Sequence, residues 1–187
     1  RDADLVASEV VQALMRAGNV AEASARAEAV LDRPHAAEVD MPLRLALLGA
    51  LALQNRAAEV IAVAKTSLAD VAGLRPSEQV PMLAQESWAC TSTGDPRAGE
   101  TAAGRALAIA EQAGDAAMTV WALTALLVAV GRQGRFDEAL AHAQRAAALA
   151  DASRDTRSLP LQPKFFLGLA LFDCDLVDAA RAAFRAA

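Results

Sequence analysis

The sequence is poor in aromatic residues and in the side chains that most often carry chemistry. Aromatic residues make up 4% of its 187 positions, tyrosine is absent, and there are two cysteines and two histidines. Cys90 and Cys174 lie far apart and show no metal-ligand spacing. We therefore interpret both as reduced, helix-buried thiols of a cytoplasmic protein, and we expect no metal and no cofactor.

The sequence also lacks an excess of positive charge and a long apolar run. Its net charge is −5, which argues against a nucleic-acid groove or an anionic membrane surface as a partner. The longest apolar run, residues 118–131, is too short to span a bilayer, and no signal peptide opens the chain. Because the chain starts without methionine and stops within a helical pattern, we interpret it as a fragment of a larger protein.

What the sequence has instead is alanine and a recurring turn. Roughly a quarter of the residues are alanine, which favours closely packed helices. A turn-forming residue recurs ahead of an acidic, alanine-containing run, with spacings of 37, 39, 40 and 40 residues. A fixed period in this range indicates stacked helical repeats. The predicted turn residues are Gly18, Asn55, Gly94, Gly134 and Cys174.

Each period is interpreted as a helix A, a short turn and a helix B. In the fourth period, apolar residues between Leu123 and Val130 follow the spacing of an amphipathic helix. Gly134 suits the left-handed position after a helix, and Asp137 and Glu138 place carboxylates in the first turn of helix B. No alternating pattern of a β-strand is present, so the sequence predicts an all-α protein.

The third period contains a clear helix start that imitates a phosphate loop. Asp95 is predicted as the N-cap and Pro96 as the first helical residue. The segment from Gly94 to Thr101 has the glycine spacing of a phosphate loop, but Glu100 stands where a lysine is needed. We therefore interpret it as a turn and a helix start, not as a nucleotide site.

The predicted fold class is all-α, a right-handed superhelix of about five helical hairpins in a single domain. Pro42, Pro81 and Pro163 are predicted near the starts of A helices, where a missing N–H group costs little. The predicted repeats cover about 2–35, 40–74, 77–113, 115–152 and 160–187.

These hairpins resemble tetratricopeptide repeats. Their period near 40 is longer than the usual 34 residues and resembles the helical sensor region of maltose-regulator-type signalling ATPases. When Gly134 is aligned with the turn glycine of the family, seven residues fall on signature positions: Leu123, Leu127, Val130, Phe136, Ala139, Ala143 and Ala146.

The last period adds a narrower resemblance. The segment from Phe166 to Asp175 is similar to one in large ATP-binding LuxR-family transcription regulators of high-GC bacteria, which usually have an arginine where this sequence has Leu176. The resemblance implies a parent protein with an N-terminal nucleotide-binding module and a C-terminal helix-turn-helix. The helical array between them would sense an effector or contact a partner.

No arrangement of side chains predicts catalysis. His35 is predicted in a linker and His142 on the solvent face of a helix B, and neither has a nucleophile at a suitable spacing. Asp173 and Asp175 could bind a cation, but we interpret them as decorating a turn. The sequence is therefore predicted not to be an enzyme.

Candidate ligand-binding residues follow from the resemblance to tetratricopeptide repeats. In that family the concave face is lined chiefly by helix A residues at the second, fifth, ninth, twelfth and thirteenth repeat positions. Counting from the predicted turns places Trp88 and Trp121 on this face in adjacent repeats. The other candidates are Leu45, Ala52 and Leu53 in repeat two, Thr124, Val128 and Arg132 in repeat four, and Lys164, Leu171 and Phe172 in repeat five, with Met15 and Arg16 extending the face in repeat one.

Two functions remain open from the sequence. In the first, an apolar or amphipathic effector enters the groove, stacks on Trp88 and Trp121, and presents an anionic group to Arg132 or Lys164. In the second, the domain is a protein–protein scaffold in which a peptide, a partner helix or a second copy is bound. A further alternative is that the tryptophans pack between successive A helices and leave no open groove.

Overall fold

The computed structural model describes residues 2–70, 73–153 and 155–187, and the side chains of all of these except residues 70, 159 and 160. Within these ranges the chain forms ten α-helices and no strand, which confirms the all-α prediction. A short 3-10 helix, Thr156–Leu161, precedes the ninth helix. The helices are α1 (Asp2–Arg16), α2 (Val20–Leu31), α3 (Ala37–Leu53), α4 (Ala57–Asp70), α5 (Pro76–Ser92), α6 (Pro96–Ala113), α7 (Ala116–Gly131), α8 (Phe136–Ala152), α9 (Pro163–Asp173) and α10 (Val177–Arg185).

Consecutive helices pack in pairs, so that the described residues form five hairpins. The hairpins fall into two compact units, which divide between Leu74 and Arg75. The first unit holds the hairpins α1–α2 and α3–α4, and the second holds α5–α6, α7–α8 and α9–α10. The predicted helix start at Asp95 and Pro96 is confirmed, because the Asp95 carboxylate accepts a hydrogen bond of 3.0 Å from the Ala98 N–H group.

Two prolines lie deeper in their helices than the sequence predicts. Pro42 and Pro81 are each the sixth residue of a helix, so the prediction that they stand at helix starts is wrong, whereas Pro163 is the first residue of α9. For α5 the reason is a cap ahead of the proline. The Glu78 carboxylate accepts a hydrogen bond of 2.8 Å from the Arg75 N–H group, which starts the helix before Pro81 is reached.

A residue in the left-handed backbone region marks each hairpin turn. The φ angles are +77° at Gly18, +57° at Asn55, +92° at Gly94 and +78° at Gly134. Each of these residues stands two positions before the first residue of helix B. Glycine, and to a lesser degree asparagine, adopts this conformation at low cost. The turn residues predicted for the first four hairpins are therefore confirmed.

The predicted register of the fifth hairpin is wrong by one residue. Its left-handed residue is Asp175, with φ +59°, whereas Cys174 has φ −93°. A constant period of 40 favoured Cys174, but aspartate tolerates the left-handed region better because its short polar side chain can hydrogen-bond locally. Since an α-helix turns by about 100° per residue, the correction changes which side chains of α9 share a face with the preceding A helices.

One position of helix B supports this correction independently. The fifth residue after the turn residue is buried in all five hairpins: Ala23, Val60, Gly99, Ala139 and Ala180. The ninth is a fully buried alanine in four hairpins, namely Ala27, Ala64, Ala103 and Ala143, and is Phe184 in the fifth. Small side chains at these positions let the paired helices approach closely.

Glycine substitutions at the two alternative turn positions test the register. We expect Asp175→Gly to raise the free energy of unfolding by about 0.5–1 kcal/mol, because glycine has no Cβ to oppose a positive φ. We expect Cys174→Gly to lower it by about the same amount, because a negative φ gains nothing from glycine. Denaturant unfolding followed by circular dichroism measures both, and equal or reversed effects would contradict the register.

A glutamine joins successive hairpins in the same way in each unit. The Gln54 amide donates a hydrogen bond of 2.9 Å to the Ser24 hydroxyl in the first unit. The Gln133 amide donates one of 2.8 Å to the Glu100 carboxylate in the second. Both glutamines directly precede a left-handed residue, and both acceptors stand six residues after the turn residue of the preceding hairpin. The repeat is therefore preserved in its polar contacts as well as in its packing.

A polar network holds the connection between α2 and α3 in the first unit. The Asp4 carboxylate accepts hydrogen bonds from the Arg33 guanidinium (2.7 Å) and the Ala36 N–H group (3.1 Å), which hold the pKa of Asp4 below its usual range. Hydrogen bonds to the Arg33 carbonyl and to Asp40 raise the pKa of His35. The prediction that His35 lies in a linker is confirmed.

Candidate functional site

The A helices of the second unit, α5, α7 and α9, pack side by side and form what we call the groove face. α5 contacts α7, and α7 contacts α9. Trp88 on α5 and Trp121 on α7 lie together, with ring centroids 5.9 Å apart and ring planes 40° apart. The structure thus brings together the two tryptophans that the sequence places in adjacent repeats.

The two tryptophans have different surroundings. Trp121 Nε1 donates a hydrogen bond of 3.2 Å to the Arg157 carbonyl, and its ring packs against a core that includes Val120 and Leu123. Trp88 Nε1 is buried and has no hydrogen-bond partner among the described residues, while the Trp88 ring lines a cavity. Both rings pack against the same two hydrophobic clusters. Trp88 also lines the cavity, so it is the tryptophan that a ligand there would reach.

A cluster of charges fixes the segment that holds Trp121. The Arg157 guanidinium lies 3.0 Å from an Asp115 oxygen and 2.9 Å from an Asp155 oxygen, and hydrogen bonds to these two carboxylates raise the pKa of Arg157. Asp115 is also the N-cap of α7, where its carboxylate accepts a hydrogen bond of 3.1 Å from the Met118 N–H group. The 3-10 helix is thus tied to the start of α7.

The first cavity, which we call the aromatic cavity, has a volume of about 450 Å³. The Phe165 and Phe166 rings in its wall lie 5.8 Å apart in an edge-to-face arrangement. The wall is apolar except for one amide side chain. The lining residues are Trp88, Val128, Leu161, Gln162, Phe165 and Phe166.

The second cavity, which we call the Arg132 cavity, has a volume of about 550 Å³ and lies among α7, α9 and the start of α8. Val128 and Phe166 line both cavities, so the two adjoin. Its walls are apolar except at two charged residues, and the full lining is Leu127, Val128, Gly131, Arg132, Gly134, Phe136, Ala139, Phe166, Leu169, Ala170 and Asp173.

The two charges of the Arg132 cavity are exposed and are not neutralised by each other. Arg132 forms no ion pair with any residue that the structure describes, and it does not bond to Asp173. The charge of Asp173 instead affects the pKa of the neighbouring Cys174 thiol. Burial, together with the charges of Asp137, Asp173 and Asp175, raises the pKa of Cys174. The cavity therefore offers one available cation and one carboxylate at its rim.

Several predicted site residues lie away from the two cavities. Lys164 forms an ion pair of 2.9 Å with Asp151 and lines a separate, smaller cavity of about 190 Å³. Thr124 is fully buried, and its hydroxyl donates a hydrogen bond of 2.7 Å to the Val120 carbonyl. Leu171 is buried as well. None of these three side chains lines the aromatic cavity or the Arg132 cavity.

The remaining candidates are exposed or belong to the first unit. Phe172 is 58% exposed and lines neither of the two cavities. Leu45 and Leu53 are in the first unit, where Leu45 is half-buried and Leu53 is exposed. Of the predicted set, Trp88, Val128 and Arg132 line the cavities, and Trp121 supports Trp88 from behind.

The corrected register identifies the lining residues that the sequence interpretation missed. Counted from Asp175, the fifth, ninth, twelfth and thirteenth positions of the last repeat are Phe165, Leu169, Phe172 and Asp173. Three of these four line the cavities. The alanine pattern of helix B did not reveal this register, because counting from Cys174 also places alanines, Ala179 and Ala183, at the two helix B positions.

The lining of the two cavities is mostly apolar, which suits binding. The lining of the two cavities contains no histidine, cysteine, serine or lysine. In the part of the chain that the structure describes, no group of three histidine, cysteine or acidic side chains could hold a metal ion, and no helix is long and apolar enough to cross a membrane.

Comparison with known proteins identifies the fold. No protein-family model matches the chain, and no curated protein matches it. Among solved structures it is similar to RapI, a tetratricopeptide-like helical-repeat protein crystallised in its apo form, with a TM-score of 0.74. The match covers 97% of this chain and 68% of the RapI chain at 10% sequence identity. At that identity it shows the fold alone, which is a tetratricopeptide-like α-solenoid.

Proposed function

We propose that the second unit is a non-catalytic, signal-receiving domain that binds an apolar or amphipathic effector carrying an anionic group. The observation that carries the proposal is the pair of adjoining apolar cavities, which share Val128 and Phe166. At their rim lies Arg132, which forms no ion pair with a described residue. Mostly apolar concave sites with a few polar groups are typical of small-molecule pockets.

The geometry suggests how such an effector would lie. Its apolar body would pass over Phe166 from one cavity to the other and end against the Trp88 ring, while its anionic group would meet Arg132. Lys164, the alternative cation considered from the sequence, is engaged by Asp151. Asp173 lies on the same rim as Arg132, so it would weaken the attraction for a simple anion and favour one that carries a neighbouring hydrogen-bond donor.

The resemblance of the last period to LuxR-family regulators supplies a setting for this activity. In that setting the domain is cytoplasmic, makes no contact with nucleic acid itself, and belongs to a parent chain with a nucleotide-binding module and a helix-turn-helix. Effector binding between α7 and α9 would favour one arrangement of these hairpins over others, and that shift would be passed to the neighbouring modules.

A protein–protein scaffold is the second candidate function. It is favoured by the exposed apolar side chains of the last hairpin, among them Phe172, Leu176 and Val177, each at least 47% exposed. Helical-repeat proteins commonly use such extended surfaces for partners. In this case the cavities would receive side chains of a peptide or of a partner helix.

Single-tryptophan variants test the effector proposal. With dodecanoate as the probe, we expect the Trp121→Phe protein, which reports on Trp88, to show a saturable blue shift of its fluorescence. We expect the Trp88→Phe protein to respond weakly, because Trp121 does not line the cavity and its Nε1 already donates a hydrogen bond to Arg157. No saturable change in either protein would contradict an effector site on the groove face.

Charge variants test the orientation of the ligand. We expect Arg132→Gln to weaken dodecanoate binding about tenfold, because a charge-assisted hydrogen bond is lost. We expect Asp173→Asn to strengthen it about threefold, because a repulsive charge is removed at a solvated rim. Dodecanol, which has no charge, should bind both variants like the parent, and Lys164→Gln serves as the matched cation control. If the unsubstituted protein and Arg132→Gln bound dodecanoate with equal affinity, the anionic group would have to lie elsewhere.

A further inference from the structure

A stripe of large apolar side chains is exposed along the last hairpin. Phe165, Leu169, Phe172 and Leu176 are 40%, 37%, 58% and 47% exposed. The first three are spaced by four and three residues, which places them on one side of α9, and Leu176 follows in the turn. Val177 and Phe184 of α10 are exposed too. We call these six residues the terminal stripe.

The same side of the preceding A helices is covered. Counted from the turn residues, the positions that correspond to Phe165 are Ala84 in α5 and Thr124 in α7, and both are fully buried. The α5 position that corresponds to Phe172 is Thr91, which is also buried. α7 packs on α5, and α9 packs on α7. Twice in this unit, therefore, this side of an A helix packs against a further helical hairpin.

The charges around the terminal stripe are divided between the two ends of the hairpin. Asp173 and Asp175 lie at the turn, whereas Arg185 lies in the last turn of α10, which runs back towards the start of α9. Asp175 and Arg185 form no ion pair within the described residues. A second hairpin of the same kind, placed antiparallel, would set the acidic end of each against the basic end of the other.

From this pattern we propose that the terminal stripe docks a second copy of this chain, with two terminal hairpins packed antiparallel about a two-fold axis. A two-fold interface uses the same surface on both copies, so it requires a surface that is complementary to itself. An apolar stripe with opposite charges at its two ends meets that requirement. Phe172, the most exposed member, lies near the centre of the contact. Phe165 and Leu169 of the stripe also line the cavities, whereas Phe172 lines neither, so substitutions at Phe172 separate this interface from the effector site.

Sedimentation equilibrium and light scattering of this 187-residue chain, from low micromolar to several hundred micromolar, test this proposal. We expect a concentration-dependent dimer whose dissociation constant rises with salt, because the charged ends contribute to it. Phe172→Glu should weaken the dimer by at least about a hundredfold, since it places a charge in the apolar centre. Leu53→Glu is the matched control, because Leu53 is 66% exposed in the first unit and should leave the dimer unchanged.

Arg185→Glu separates the charge contribution from the apolar one. We expect it to weaken the dimer about tenfold and to abolish most of the salt dependence, while Phe172→Ser should weaken the dimer and leave the salt dependence in place. The proposal would be overturned if the unsubstituted protein stayed monomeric at all concentrations, or if Phe172→Glu left the dissociation constant of the dimer unchanged. The stripe would then be assigned to a helix of another protein. Dodecanoate binding by Phe172→Ser, which adds no charge to the rim, keeps the two proposals distinguishable, because effector binding should survive when dimerisation is lost.

Discussion

Replacing Gly168 by leucine is expected to destabilise the last hairpin, and removing the Phe184 side chain in the same chain is expected to restore much of the loss. A Cβ atom added at Gly168 would lie 2.5 Å from the nearest carbon of the Phe184 ring, closer than real contacts allow. The ring is held in place, because it also packs on Phe165 with centroids 5.7 Å apart. A larger side chain at Gly168 therefore has to displace it.

The repeat explains why these two residues belong together. The position of Gly168 is occupied in the other four A helices by Val11, Leu48, Ser87 and Leu127, and that of Phe184 is a buried alanine in the other four B helices. In the last hairpin the small residue, Gly168, lies on helix A and the large one, Phe184, lies on helix B, which is the reverse of α7 and α8. Gly168→Leu with Phe184→Ala returns the hairpin to the arrangement of α7 and α8.

The expected magnitudes follow from overpacking. Gly168→Leu should lower the free energy of unfolding by about 3 kcal/mol, and Phe184→Ala alone by about 1–2 kcal/mol, because its ring is partly exposed. The double variant should be more stable than Gly168→Leu by at least about 1 kcal/mol, a coupling typical of residues in contact. Denaturant unfolding measures all three, and a double variant less stable than Gly168→Leu would contradict the exchange.

Much of the fold follows from local signals in the sequence. Gly18, Asn55, Gly94 and Gly134 could be predicted as turn residues because each stands where the backbone requires a positive φ, which few residue types accept. The helices between them follow from amphipathic spacing and alanine content. The helix start at Asp95 follows from its capping chemistry. These are short-range effects, so a single sequence contains them.

The site is less accessible from sequence because it depends on how helices lie against each other. Trp88 and Arg132 were predicted on the groove face from a register that is correct in α5 and α7, and both line the cavities. Lys164 and Leu171 were favoured over Phe165 and Leu169 because a shift of one residue turns α9 by about 100°. The cavities themselves arise from the fit of α9 against α7, which is a long-range property that no local pattern reports.

Replacing Gly99 by alanine is expected to destabilise the protein, although the same change inside most helices is stabilising. Gly99 is buried in α6, and a Cβ atom added there would lie 2.8 Å from the Ser87 carbonyl oxygen and would clash with the Thr91 hydroxyl. That hydroxyl already donates a hydrogen bond of 2.8 Å to the same carbonyl. Because one obstacle is backbone, α5 and α6 have to separate.

Gly104 in the same helix provides the matched control. A Cβ atom added at Gly104 meets nothing within 4 Å, so Gly104→Ala should raise the free energy of unfolding by up to about 1 kcal/mol through helix propensity. Gly99→Ala should lower it by about 2 kcal/mol through overpacking. Opposite signs in denaturant unfolding are therefore the expected result, and equal gains would show that α5 and α6 lie further apart than described.

The same pair of variants connects the close approach of α5 and α6 to the candidate site. Ser87 directly precedes Trp88, so separating the helices at Gly99 also moves the tryptophan that lines the aromatic cavity. In a Trp121→Phe background, Gly99→Ala should shift the fluorescence of Trp88 to the red and weaken dodecanoate binding, whereas Gly104→Ala should change neither. If Gly99→Ala destabilised the protein but left Trp88 fluorescence and dodecanoate binding unchanged, the cavity would be independent of the packing between α5 and α6.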